Sequence, residues 1–197
     1  TLIRPMSKKL KNSSIVVGAQ NCHENLNFGP FTGFINSRML KDVGAKYVII
    51  GHSENRFSGE TNKLINLKIK SALKSGLKVI FCVGETLKEK RKKNTKQVLN
   101  KQIKTGLSGI NNKNKIIIAY EPVWSIGTGL IPKSKELFET VNFIKRKIGN
   151  YKILYGGSVN PKNIDLLKSI NNIDGFLIGG ASQESKKFID IIKKTYN

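Results

Sequence analysis

Acidic residues are scarce: Asp and Glu number 13 against 35 Lys and Arg, a formal charge of +22 on 197 residues. Such a balance favours anionic partners, nucleic acid or phosphorylated metabolites among them. Aromatic residues, however, do not interleave with the lysines as a base-stacking platform requires, so nucleic acid is not the expected partner. The densest basic run, KEKRKKNTK at 88–96, reads as a solvated helix face. Cysteine is nearly absent as well. Cys22 and Cys82 are too few for a disulfide framework and lack metal-ligand spacing. They read as buried thiols in a reducing compartment, which makes a cytoplasmic location the expectation. No apolar stretch reaches the roughly 18 residues of a membrane span, so no membrane partner is expected. The opening residues hold no basic segment followed by an apolar run, and no secretory signal is expected from them. The chain starts at Thr1, without methionine and already inside a helix-like segment, so we expect residues upstream.

What is present is a regular alternation. Hydrophobic residues make up 39% of the chain, enough to bury a core. Short β-branched runs stand at 15–19 (IVVGA), 47–50 (YVII), 79–83 (VIFCV), 116–119 (IIIA), 153–155 (ILY) and 176–178 (FLI). Continuous Val/Ile runs of this kind fit parallel strands buried on both faces. Between them, 62–75, 95–107, 134–148 and 184–195 read as helices. Asn160-Pro161 and Ser134 are helix starts in this reading, and Gly76 and Gly149 helix ends. Strand-helix repetition means βα units and a parallel sheet. No linker interrupts it, so residues 1–197 read as a single domain.

An open sheet and a closed barrel both use such units, and the residues at the strand exits favour the barrel. Ile50 leads into Gly51-His52-Ser53-Glu54, Ala119 into Tyr120-Glu121-Pro122, Tyr155 into Gly156-Gly157-Ser158, and Ile178 into Gly179-Gly180-Ala181-Ser182. The opposite strand ends carry plainer turns. Chemistry gathered at the carboxyl ends of parallel strands, with glycine-rich loops on the last two, predicts an α/β fold of the (β/α)8 TIM-barrel type.

Glu121 comes directly after an apolar run and precedes Pro122, which blocks a helix start and keeps the backbone extended. Burial there disfavours the charged carboxylate and suits it to general-base work. The segment after it, 122–129 (PVWSIGTG), is apolar, stiff at one end and glycine-hinged at the other, as a water-excluding lid would be. Its Gly127 and Gly129 can aim backbone N–H groups at an anion. His52 sits at a strand end, before Ser53-Glu54, which reads as a helix cap; a helix N-terminus favours the neutral imidazole. His23, in a long polar loop, reads as structural. The glycine pairs 156–157 and 179–180, each with a small hydroxyl residue after it, suit an oxyanion cradle.

At these residues the chain closely resembles the triosephosphate isomerases. The segments that carry the resemblance are GAQN (18–21), FTG (31–33), KDVGA (41–45), GHSE (51–54), CVGETL (82–87), AYEPVWSIGTG (119–129), YGGSV (155–159) and DGFLIGGAS (174–182). They occur in the family's order over nearly the whole chain. The resemblance implies interconversion of dihydroxyacetone phosphate and D-glyceraldehyde 3-phosphate through an enediolate, in glycolysis and gluconeogenesis, with no metal and no organic cofactor. It implies that Glu121 is the base and that neutral His52 is the electrophile that polarises the carbonyl. Gly127, Ser158, Gly179 and Gly180 would bind phosphate through backbone amides, and Pro122 to Thr128 would form the lid that keeps the enediol phosphate from eliminating its phosphate. Glu54 and Arg56 would support the site. The loop from Gln20 to Phe34 would reach a second subunit, with Thr32 as a cross-subunit contact in a homodimer.

The chain also departs from the family. An opening strand bearing a substrate-binding asparagine and lysine, the helix after it and the second strand have no counterpart here, and residues 1–10 resemble the second helix. We therefore expect an incomplete barrel, short of its first two strands and first helix. The usual two arginines after GHSE appear as Asn55-Arg56, and Phe34 stands where the interface loop usually has glutamate, which implies a changed dimer contact. The competing expectation is a non-catalytic barrel remnant that binds anions or nucleic acid through its basic surface.

Overall fold

Side-chain caps begin several of the helices, and glycines with positive φ end several of them. The computed structural model describes residues 2–111, 113–149 and 151–196. Among them the elements run in the order α1 (Ile3–Lys9), β1 (Gly18–Ala19), α2 (Ser37–Asp42), β2 (Tyr47–Ile50), α3 (Ser53–Phe57), α4 (Asn62–Lys74), β3 (Lys78–Val83), α5 (Leu87–Arg91) and α6 (Thr95–Gly106). Then come β4 (Ile116–Tyr120), α7 (Ser134–Ile148), β5 (Lys152–Tyr155), α8 (Ile164–Lys168), β6 (Gly175–Phe176) and α9 (Ser185–Tyr196). The chain divides into two compact units, residues 1–82 with 102–117 and residues 83–101 with 118–197.

In the first unit β1, β2 and β3 are neighbours in chain order, and β4 opens beside them. The pairing is parallel, with Gly18 opposite Tyr47 and Ile50 opposite Phe81. Helix α4 is capped by Thr61, whose side chain accepts the Leu64 N–H, and it ends where Gly76 takes a φ of +83°. Its inner face puts Ile65, Ile69 and Ala72 fully out of solvent, with Val48, Ile50, Leu77, Val79 and Phe81 from the strands.

In the second unit β4, β5 and β6 are neighbours in that order, and β5 and β6 pair in parallel. Helix α7 starts at Ser134 and ends before Gly149, whose φ is +73°, as the sequence predicts. Leu137, Val141, Ile144 and Ile148 form its buried stripe, each contributing about 1.5–3 kcal/mol.

Three boundaries differ from the sequence reading. The run 15–19 narrows to Gly18–Ala19. Ser13 Oγ accepts the Ile15 N–H, Ile15 and Val16 are exposed, and only the Val17 carbonyl reaches a neighbour, at Lys46 N. The last strand is Gly175–Phe176 rather than 176–178, because its partner β5 runs out at Tyr155. The Leu177 N–H still donates to Tyr155 O, but the next residue along, Gly156, gives its own N–H to Tyr120 O. Asn160-Pro161 does not open a helix: the Asn160 and Asn163 side chains accept the N–H groups of Lys162 and Asn160, and α8 starts only at Ile164. No helix among the described residues is long and apolar enough to cross a membrane.

Candidate active site

The two units each carry part of the residue set singled out by sequence. The first holds Thr32, His52, Glu54 and Arg56; the second holds Glu121, Gly127, Ser158, Gly179 and Gly180.

In the first unit β2 delivers the chain to Gly51, which is buried and turns with a φ of +78°. Only glycine fits: a Cβ there would stand 3.1 Å from Arg56 Nη2 and 3.2 Å from Cys82 O in a backbone conformation L residues avoid. His52 then caps α3 itself, where the sequence pointed to Ser53-Glu54. Its Nδ1 accepts the Glu54 N–H at 3.3 Å. A nitrogen that accepts carries no proton, so the neutral ring bears its proton on Nε2. Arg56 locks the turn by donating to Gly51 O at 2.7 Å, Cys82 O at 3.0 Å and Asn62 Oδ1 at 2.6 Å. The Glu54 side chain is exposed, with an oxygen 3.8 Å from His52 Nδ1.

Thr32 lies exposed in the loop from Gln20 to Phe34. The base of that loop is held by Asn21, which donates to Glu60 at 2.9 Å and accepts from Lys68 at 3.2 Å, while Lys68 and Glu60 form an ion pair. His23 sits with its ring centroid 4.7 Å from those of both Phe31 and Phe34. Both cysteines are buried, and burial pushes the Cys22 thiol up to about 12.

In the second unit the Glu121 side chain emerges at the end of β4 and is 2% exposed. Its N–H donates to Val83 O and the Gly156 N–H donates to Tyr120 O, both at 2.8 Å. Two glycines make room for it. A Cβ on Gly84 would lie 1.6 Å from Glu121 O, and one on Gly156 would lie 2.9 Å from Glu121 Cγ. Pro122 comes next, then a 3₁₀ turn over Val123–Ser125.

A second buried carboxylate stands close by. Glu85 is 1% exposed and accepts from the Trp124 indole N–H at 2.9 Å and from the Tyr120 hydroxyl at 3.2 Å. Burial raises its proton affinity above the ordinary value for a glutamate. Tyr120, also driven up by burial and by Glu85, stays a phenol and therefore a donor. Lys90 Nζ lies 4.0 Å above the Trp124 ring and is ion-paired with Glu136. In the sequence Glu85 stands out only as part of the CVGETL motif. The signal is there all the same: like Glu121, it comes directly after an apolar strand or one glycine later.

Beyond the 3₁₀ turn, Thr128 Oγ1 donates back to the carbonyls of Trp124 and Ser125 and accepts the Leu130 N–H. Gly127 and Gly129 are exposed, with φ of +70° and +77°. Ser158 meets this segment directly, its Oγ accepting the Gly129 N–H at 3.0 Å. Gly179 and Gly180 are exposed, a Cβ on either would meet open space, and a 3₁₀ turn runs over Gly180–Gln183. The Ser182 N–H and hydroxyl both donate to Gly179 O.

Comparison with known proteins gives one answer. The triosephosphate isomerase family profile matches residues 1–195. The triosephosphate isomerase of Thermodesulfovibrio yellowstonii is 43% identical over 97% of this chain and 81% of its own length. That of Dictyoglomus thermophilum is 47% identical over 95% of this chain and 80% of its own. The crystal structure of triosephosphate isomerase from Bartonella henselae superposes with a TM-score of 0.92 at 37% identity, over 100% of this chain and 84% of that one.

Proposed function

This chain belongs to the triosephosphate isomerase family, an isomerase family of the (β/α) barrel fold, and from that premise we propose that Glu121 and His52 carry its chemistry. The substrate pair is dihydroxyacetone phosphate and D-glyceraldehyde 3-phosphate. The observation that carries the reading is Glu121 itself: a carboxylate 2% exposed, held at a strand end between two glycines that leave no room for a side chain. A carboxylate kept out of bulk water at a fixed place is the group a general base for a carbon-bound proton calls for. It takes a proton from the carbon next to the carbonyl and returns it to the neighbouring carbon, through an enediolate. His52, with Nδ1 committed to the Glu54 N–H, offers Nε2–H to the substrate oxygen on which negative charge develops.

Gly127, Ser158, Gly179 and Gly180 hold the phosphate through backbone amides in this reading. The open space at Gly179 and Gly180 supports it, because an oxyanion can approach the main chain there unhindered. Pro122 to Thr128 form the lid. Arg56 keeps the His52 turn fixed, and Glu54 supplies the N–H that sets the tautomer. The exposed loop tip around Thr32 serves a homodimer contact, and the enzyme works in the cytoplasm in glycolysis and gluconeogenesis. Turnover in heavy water tests the chemistry. Deuterium enters the carbon-bound position of the product with the unmutated full-length protein and not with Glu121→Gln. Isomerisation without solvent exchange in both proteins would replace proton abstraction by a hydride shift and overturn the assignment.

A further inference from the structure

The Ser125 hydroxyl belongs to no role given so far, yet it is fully buried in the middle of the lid. Its hydroxyl donates to the Leu130 carbonyl, two residues past the lid. It also lies 3.1 Å from the Tyr155 hydroxyl and accepts the Ser158 N–H at 3.3 Å. One donor and two acceptor sites are all a serine hydroxyl has, and all three are used. The direction is fixed by Leu130: a carbonyl only accepts, so Ser125 gives its proton there and Tyr155 must donate to it. Tyr155, held up to about 12 mainly by burial, keeps the proton this requires. The Ser125 carbonyl adds a second link to the same neighbour, accepting from Ser158 Oγ at 2.6 Å. Ser158 is thus clasped twice by one residue, and its Oγ also takes the Gly129 N–H at 3.0 Å.

We infer that Ser125 is a positioning residue that ties the middle of the lid, and the residues that follow it, to the phosphate loop, so that phosphate binding at Ser158 and lid order are one event. The inference rests on the proposed roles of the lid and of Ser158, and it adds the device that couples them. Because the Ser158 N–H is held by a weak, long contact, an arriving phosphate oxygen takes it over, while the Ser158 Oγ bond and the Leu130 bond keep the lid stem in place.

Ser125→Ala removes the side-chain links without adding bulk. The unmutated full-length protein and the variant are compared, after circular dichroism confirms equal folding. The readouts are KM, inhibition by inorganic phosphate, the fraction of turnovers that release phosphate by elimination, and amide hydrogen exchange at Ser158 and Gly129. The coupling predicts that KM and the inhibition constant for phosphate rise roughly three- to tenfold, that the eliminated fraction rises several-fold, and that both amides exchange about tenfold faster. A residue that served only the fold would leave the eliminated fraction unchanged. Values within twofold of the unmutated protein on all four readouts overturn the inference while leaving the isomerase reading intact. Absence of isomerase turnover in the unmutated protein overturns the isomerase reading instead, and the amide exchange comparison still decides the Ser125 links.

Discussion

The turn that carries His52 and the turn that carries Glu121 are fastened by opposite means. At His52 a single cation does the fastening: Arg56 spans two main-chain carbonyls and the Asn62 amide oxygen, and a positive-φ glycine leaves no play in the backbone. At Glu121 the main chain is pinned by two N–H bonds, and beyond Trp124 the side-chain links that hold the segment come from neutral hydroxyls, those of Ser125, Thr128 and Ser158. Charge-assisted bonds to carbonyls are strong and costly to break, whereas hydroxyl contacts exchange readily with water or a ligand oxygen. The contrast separates what stays still from what moves. On the proposed reading, the ring that keeps one tautomer through turnover is the one bolted down, and the carboxylate that is uncovered and covered again is the one bordered by exchangeable bonds.

Four experiments put that contrast at risk. The largest effect falls on Glu121→Gln, which keeps size and burial but removes the base; kcat falls by about 10³-fold with the far-ultraviolet spectrum unchanged. A fall of less than tenfold would move the chemistry elsewhere. Next comes the bolt. Arg56→Ala costs about 2–4 kcal/mol in urea unfolding, and Arg56→Lys recovers less than half, since a point ammonium cannot serve three fixed acceptors. If both unfold like the unmutated protein, the turn is not held by charge and the contrast collapses. Gly156→Ala sets a methyl 2.9 Å from Glu121 Cγ. It lowers kcat about tenfold by displacing the carboxylate, with KM nearly unchanged.

The smallest effect concerns Glu85. Its raised folded-state proton affinity means that the folded chain holds a proton the unfolded chain has already released. Stability from this group is therefore full below the ordinary value of 4.5 and is lost as pH rises from there through the raised folded value. Glu85→Gln removes that loss. Against the unmutated protein its melting temperature gains across that window. A flat difference between the two would show that the Trp124 and Tyr120 donors fully offset burial.

Much of this is legible in residue order alone. Four of the six runs rich in Val and Ile are strands within a residue of where the sequence puts them, because a parallel strand advertises its burial. What escapes depends on partners distant in sequence. The loss of pairing at Ile15 and Val16 comes from a neighbouring strand that engages only Val17 and beyond, and the late start of α8 from two asparagine side chains that serve their own backbone. That His52 caps its own helix lies one residue away from the sequence reading, since histidine is not a usual cap. The place of Glu85 beneath Trp124, 39 residues apart, has no local signature beyond a glutamate after an apolar strand.

Trp124 is the only tryptophan in the chain, and its ring is held between the carboxylate of Glu85 and the ammonium of Lys90. The emission of an excited indole depends on the charges around it, here a carboxyl group at its N–H edge and an ammonium over its face, and a displaced ring or a changed proton on Glu85 alters it. The protein therefore comes with its own spectroscopic label, singly placed in the segment proposed as the lid. Stopped-flow emission records its motion and its titration in the native sequence, without a dye or an engineered probe.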